Sequence, residues 1–134
     1  MAEGLLGLRV YQLAEALADE AWSEVMTWRP FSRDTGGRQF LDAADSVGAN
    51  IAEGYGRFHY REMRQFPLIA RGPLEETGHW LRRARSRNLI AEKRCSTLVG
   101  LSRELAPQLN AYIRSLETRA TKQRKGTKRI SSSS

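Results

Sequence analysis

At 134 residues and 15.2 kDa, the chain is long enough for one domain with a real core and too short for two. Apolar residues at 40% and charged residues at 28% exclude a wholly disordered chain, and no apolar run approaches the roughly 20 residues that span a bilayer. The net charge of +7 is unevenly placed: from Arg114 onward seven cations face one anion, Glu117, whereas residues 1–113 hold 15 cations and 14 anions. The body is therefore nearly neutral, and attraction to an anionic partner belongs to a C-terminal segment instead of a domain face. Met1 to Arg9 has neither the basic start nor the long apolar stretch of a secretory signal, and the lone Cys95 has no internal partner. A soluble, cytoplasmic domain with no membrane contact is expected.

Strand signals are almost absent, and helical periodicity recurs four times. Val10, Leu13, Ala14, Leu17, Ala21, Val25 and Trp28 form the first stripe. Arg29-Pro30 and the pair Gly36-Gly37 are expected to end it. The second runs through Phe40, Leu41, Ala44, Val47, Gly48, Ile51, Ala52 and Tyr55, closing around Gly54 and Gly56. The third reads Met63, Phe66, Ala70, Leu74, Thr77, Leu81 and Ala84, and the fourth Cys95, Leu98, Leu105, Leu109, Tyr112 and Leu116. Together they predict an all-α fold, an antiparallel up-down-up-down four-helix bundle over residues 1–118. Pro67, Pro73 and Pro107 fall inside the third and fourth stripes, where each removes a backbone hydrogen bond. The third stripe keeps phase across both of its prolines, so a continuous helix with a kink is expected there. After Arg119 the stripe stops, and residues 119–134 read as a frayed helix end followed by a basic, Ser-ending tail.

Residues 42–57, DAADSVGANIAEGYGR, hold the most distinctive segment. With Ala43, Ala44, Ser46, Ala49, Asn50, Ile51, Ala52, Glu53, Gly54, Gly56 and Arg57 in place, it resembles the central motif of the four-helix bundle family named for proteins encoded in 23S ribosomal-RNA intervening sequences. Val10-Tyr11-Gln12, Ile69-Ala70, Gly72, Leu74, Glu76 and Leu109-Asn110 extend the similarity across residues 5 to 117. Asp42, Gly48, Pro67 and Pro73 depart from the family pattern. The resemblance implies an antiparallel bundle that assembles as a homopentameric ring. The related accessory proteins of diversity-generating retroelements bind nucleic acid and a reverse transcriptase in that form. It implies no enzymatic activity and no cofactor.

The residues of the motif carry their own logic. Ser46, Asn50, Glu53 and Arg57, spaced four, three and four, share one helix face beside the apolar Val47, Ile51 and Ala52. A polar row next to small residues is expected to form an interhelical or intersubunit hydrogen-bond network, with Arg71 or a neighbouring subunit as donor. Two basic groups are candidates for phosphate contact. Arg82, Arg83, Arg85 and Arg87 end the third helix, where they also suit its dipole. Arg114, Arg119, Lys122, Arg124, Lys125, Lys128 and Arg129 fill the C-terminal segment. Phe58, Tyr60 and Arg61, near Arg57, set aromatic rings beside cations, a combination that can stack single-stranded bases.

Other chemistry finds little purchase. His59, His79 and Cys95 lack metal-ligand spacing, no G-x-S-x-G exposes a serine, and the Gly54-Tyr55-Gly56-Arg57 stretch lacks the lysine of a phosphate loop. A metal-independent helical ribonuclease would pair an Arg with a His along one helix. Arg71 and His79 stand too far apart for that, Arg57 and His59 too close. The sequence thus favours a non-enzymatic oligomer that binds nucleic acid, RNA first, through basic segments. A protein-interaction scaffold for a polymerase-type partner such as a reverse transcriptase is the alternative, and the ribonuclease a minor one.

Overall fold

All four stripes become helices in the computed structural model, which describes residues 4–133 and side chains as far as Thr127. They are α1 (Arg9–Val25), α2 (Arg38–Tyr55), α3 (Tyr60–Ser86) and α4 (Glu92–Ser133), preceded by a 3-10 turn over Gly4–Gly7. There is no strand among the described residues. Each helix packs against the next, and α1 closes the bundle against α4. Cross-links fix the antiparallel order: Arg71 reaches Asn110 and Arg64 faces Glu117, while Arg85 faces Glu92 at the opposite end. Leu17, Val25, Phe40, Val47, Ile51, Leu98, Leu105, Leu109, Ile113 and Leu116 are fully buried, the positions that a 3.6-residue period sends inward.

Two features differ from what the sequence predicts. The Gly36-Gly37 pair does not separate helices. A helical turn begins at Pro30–Ser32, widens into a π turn over Arg33–Gly37 and runs directly into α2. Gly37 is needed there for contact, not for flexibility: a Cβ would fall 2.7 Å from Val25 Cγ1 and 3.4 Å from the Trp28 ring. The bare backbone lets the π turn sit on the end of α1. Trp28 and Phe40 stack beside it with ring centroids 6.2 Å apart.

Helix α3 is continuous across both prolines, as its in-phase apolar stripe predicts. Pro67 removes the amide that would have bonded the Met63 carbonyl, and that carbonyl lies against Gly54 of α2, where a Cβ would come within 2.7 Å of it and 2.8 Å of Phe66 Cβ. Glycine and proline thus share one contact: a buried proline ring and an α2 backbone close enough to cover the orphaned oxygen with its Cα–H. The carbonyls freed by Pro73 and Pro107 belong to Ile69 and Arg103, both exposed, where water replaces the lost partner.

The second difference is at the C-terminus. The frayed end expected after Arg119 is instead regular helix as far as Ser133. Ala120, Lys122, Gln123, Arg124 and Lys125 are strong helix formers, and a helix already nucleated by packing propagates without further core contacts. The packed body nevertheless ends where the stripe does, at the fully buried Leu116 and half-buried Ala120.

Two glycine substitutions should have opposite signs. Gly54→Ala should lower the unfolding free energy by about 1–3 kcal/mol, because the new methyl group meets backbone that cannot yield. Gly100→Ala, within α4 and with nothing within 4 Å of its Cβ position, should raise it by up to about 1 kcal/mol. Urea melts of both variants read the difference directly.

Candidate functional site

Within one chain, the Ser46–Arg57 row does not form the expected interhelical network. The Ser46 hydroxyl donates to the Asp42 carbonyl and the Asn50 amide to the Ser46 carbonyl, both within α2. Glu53 and Arg57 are exposed and pair with each other at 2.7 Å. Arg71 is not the row's donor: its Nε and Nη2 both donate to Asn110 Oδ1 of α4, at 3.0 and 2.8 Å. The physical reason is rotation of the helix. Ala43, Ala44, Val47, Ile51 and Gly54 take the buried face, so the polar row sits at its solvent edge. Ala49, Ala52, Glu53, Gly56 and Arg57 line a shallow notch there.

Arg57 leads from this row into the α2–α3 junction. Its guanidinium lies over the Phe66 ring, 4.8 Å from the centroid. Phe58 follows, 89% exposed, and His59 caps α3 in an extended conformation with its ring edge-on to Phe58. The C-terminal half of α4 runs alongside. Arg119 covers the Tyr60 ring at 5.7 Å, and Arg64 approaches Glu117 at only 3.8 Å, leaving its buried Nε without a hydrogen-bond partner. A groove of about 1030 Å³ opens between the two segments, with Arg61 and Arg64 on one wall and Gln123, Arg124 and Thr127 on the other.

Antiparallel packing therefore brings the junction and the C-terminal cations together at one end of the bundle. Arg114, Arg119, Lys122, Arg124 and Lys125 are all exposed on α4, while the side chains of Lys128 and Arg129 lie outside the described residues. Arg82, Arg83, Arg85 and Arg87 are exposed at the opposite end, with Arg85 3.6 Å from Glu92. Among the described residues no group of three or more His, Cys, Asp or Glu side chains could hold a metal ion, and no helix is long and apolar enough to cross a membrane.

Sequence reading missed one polar cluster altogether. Glu24, only 6% exposed on α1, accepts from Trp28 Nε1 at 2.9 Å and from Arg94 Nε at 3.4 Å. Arg94 Nη2 also donates to Glu20 at 2.6 Å, and that bond is the main reason its guanidinium titrates above the ordinary arginine value. Seventy residues separate the charged partners, so no local motif announces them; the only signal is a glutamate at a stripe position, four residues before Trp28. Removing Arg94 leaves a buried carboxylate with one donor. Arg94→Met should cost about 2 kcal/mol in thermal or urea unfolding, less than the ~3–5 of a fully enclosed pair because Arg94 is itself partly solvated.

A second electrostatic feature is unfavourable. Desolvation, then the neighbouring carboxylates of Asp42 and Asp19, raise the pKa of Asp45. A raised carboxylate binds its proton more tightly folded than unfolded, so its ionised form opposes folding and protonation relieves it. Asp45→Asn should raise Tm by about 1–2 °C at pH 7, and the gain should vanish as pH falls through the carboxylate range. Paired melts at pH 7 and pH 3 test the sign.

The comparisons with known proteins agree on the fold. The chain resembles a crystal structure of a protein of unknown function from the S23 ribosomal protein family of Bacteroides thetaiotaomicron. The TM-score is 0.69 at 20% identity, over 78% of this chain and 97% of that one. No curated protein sequence matches the chain. The family model described as 23S rRNA-intervening sequence protein matches residues 7–111, the whole of α1, α2 and α3 with the first half of α4. The chain belongs to the 23S rRNA-intervening sequence protein family.

Proposed function

We propose that the protein is a non-enzymatic, cytoplasmic bundle that self-associates, as a pentameric ring on the family resemblance, and binds RNA through its basic segments. The observation that carries this reading is where the charge lies. Seven of the cations stand from Arg114 onward against Glu117 alone, and α4 holds them on a continuous helix running past the packed body. Such a segment meets phosphates, which supply affinity, and leaves base edges unread. The family description names an RNA context, a 23S rRNA-intervening sequence, without stating a ligand.

Self-association rests on a different surface. Trp22, Met26 and Phe31 are 56%, 50% and 81% exposed around the turn that joins α1 to α2. Exposed apolar groups of this size gathered in one region usually mark an interface. The same surface favours the second reading, in which it takes a protein partner such as a reverse transcriptase and the basic segment only adds solubility.

Light scattering should return a mass that is a multiple of 15.2 kDa at micromolar concentration. Filter binding with labelled RNA should show a log-log salt slope of around −4, as five or six phosphate contacts at about −0.7 each require. Deleting Ala120 to Ser134 should leave the bundle folded and weaken RNA binding at least tenfold. A monomer would remove the self-association, and an intact protein that ignores RNA at low salt would leave the protein-partner reading in its place.

A further inference from the structure

We infer that the groove between the start of α3 and the C-terminal half of α4 is the seat of a single-stranded RNA segment, with Phe58 as its stacking platform; this rests on the RNA-binding reading above. Two cation groups that are distant in sequence converge there. Arg61 and Arg64 come from the first turns of α3, and Arg124, five residues beyond the Arg119–Tyr60 contact, comes from α4.

Their charges are not consumed locally. Only Glu62 and Glu117 line the groove as anions, and the Arg64–Glu117 approach at 3.8 Å is loose. The Arg64 Nε is buried without an acceptor and out of reach of a ligand, so what Arg64 offers the groove is the solvent-accessible part of its side chain, 35% exposed. Gln123 adds a side-chain amide able to donate to phosphate oxygens without adding negative charge, whereas the Thr121 and Thr127 hydroxyls already donate to the Glu117 and Gln123 carbonyls. The groove thus carries three guanidinium groups against two carboxylates, a net positive lining that suits a polyanion.

The aromatic group selects the form of that polyanion. Phe58 is 89% exposed, held by the edge-on His59 ring 4.9 Å away. Arg57, one residue earlier, is fixed over Phe66 and paired to Glu53, so the loop carrying Phe58 is braced on one side. Phe58 does not itself line the groove; it stands at the mouth, against His59, which does. A ring exposed there can offer its face to an unpaired base of a strand leaving the groove, a contact that a duplex with stacked bases cannot make. The Arg82–Arg87 cluster, at the far end of the bundle, has no part in the site.

The test uses the full-length protein and a 20-nucleotide oligo-uridine RNA. The double variant Arg61→Gln/Arg124→Gln should bind at least tenfold more weakly, with the salt slope shallower by about 1.4. Phe58→Ala should lose about fivefold or more in affinity with no change of slope, because it removes stacking and no phosphate contact. Arg82→Gln/Arg83→Gln should match the parent in both. All the altered residues are exposed, so circular dichroism should show the fold unchanged. Parent-like binding by either groove variant, or loss confined to Arg82→Gln/Arg83→Gln, overturns the groove while leaving RNA binding standing. No binding by the parent protein overturns the RNA reading itself.

Discussion

Helices α2 and α3 touch where Gly54 meets the Met63 carbonyl and the Pro67 ring, and most of the molecule is arranged around that contact. A side chain at residue 54 would hold the two backbones apart, and the chain could not then reverse between Tyr55 and Tyr60 with so short a junction. The reversal sets Arg57 on Phe66 and leaves Phe58 outside. It also fixes the direction in which α3 departs, and through the Arg71–Asn110 and Arg64–Glu117 approaches the line along which α4 returns. Gly37 plays the matching part at the other end, where it lets the π turn rest on Val25 and Trp28. The bundle is closed at both ends by backbone approaching side chain or backbone, with the aliphatic core filling the length between them.

The position of every stripe was legible in the sequence because burial with a 3.6-residue period is a local property. Val10, Leu17, Val47, Ile51, Leu98, Leu105 and Leu109 are buried where the pattern puts them. What was not legible depends on which residue of another helix lies opposite. Gly36-Gly37 looks like a break until Val25 is seen against it, and nothing near Pro67 in the sequence shows that Gly54 lies over the carbonyl it frees. The polar row of α2 illustrates the same limit. Its spacing correctly places four side chains on one face, but whether that face is inside or at the edge depends on the rotation set by Ala43 and Gly54. Glu24, Arg94 and Glu20 were invisible for the simplest reason: their partners lie about 70 residues away, and only the closed bundle brings them together.

The candidate site was legible in pieces. Cations after Arg114 and aromatics beside Arg57 both stand out in the sequence, and the up-down-up-down order predicted from the stripes already places them at one end of the molecule; the groove between them is what only the structure shows. The end of α2, the start of α3 and the C-terminal part of α4 must be neighbours, whereas the end of α3 meets the start of α4. The same order sends Arg82 to Arg87 away from the C-terminal cations. Two basic clusters that look equivalent in composition are thus inequivalent in space, and the C-terminal one borders the groove.

That polarity bears on how assembly and binding would combine. Trp22, Met26 and Phe31 surround the α1–α2 turn, at the end of the bundle opposite the groove. Copies joined through this apolar region would leave each groove open, and every added copy would bring another set of phosphate contacts. A strand held weakly by one groove would then meet the next at the high effective concentration set by the short span between neighbours, raising affinity without any new kind of contact. Charge does not choose between the two ends, because Arg82, Arg83, Arg85 and Arg87 stand at the apolar end as well. The exposed Trp22, Met26 and Phe31 are what favour joining there, and such an assembly would turn the α4 extensions outward and make affinity for RNA depend on the number of copies.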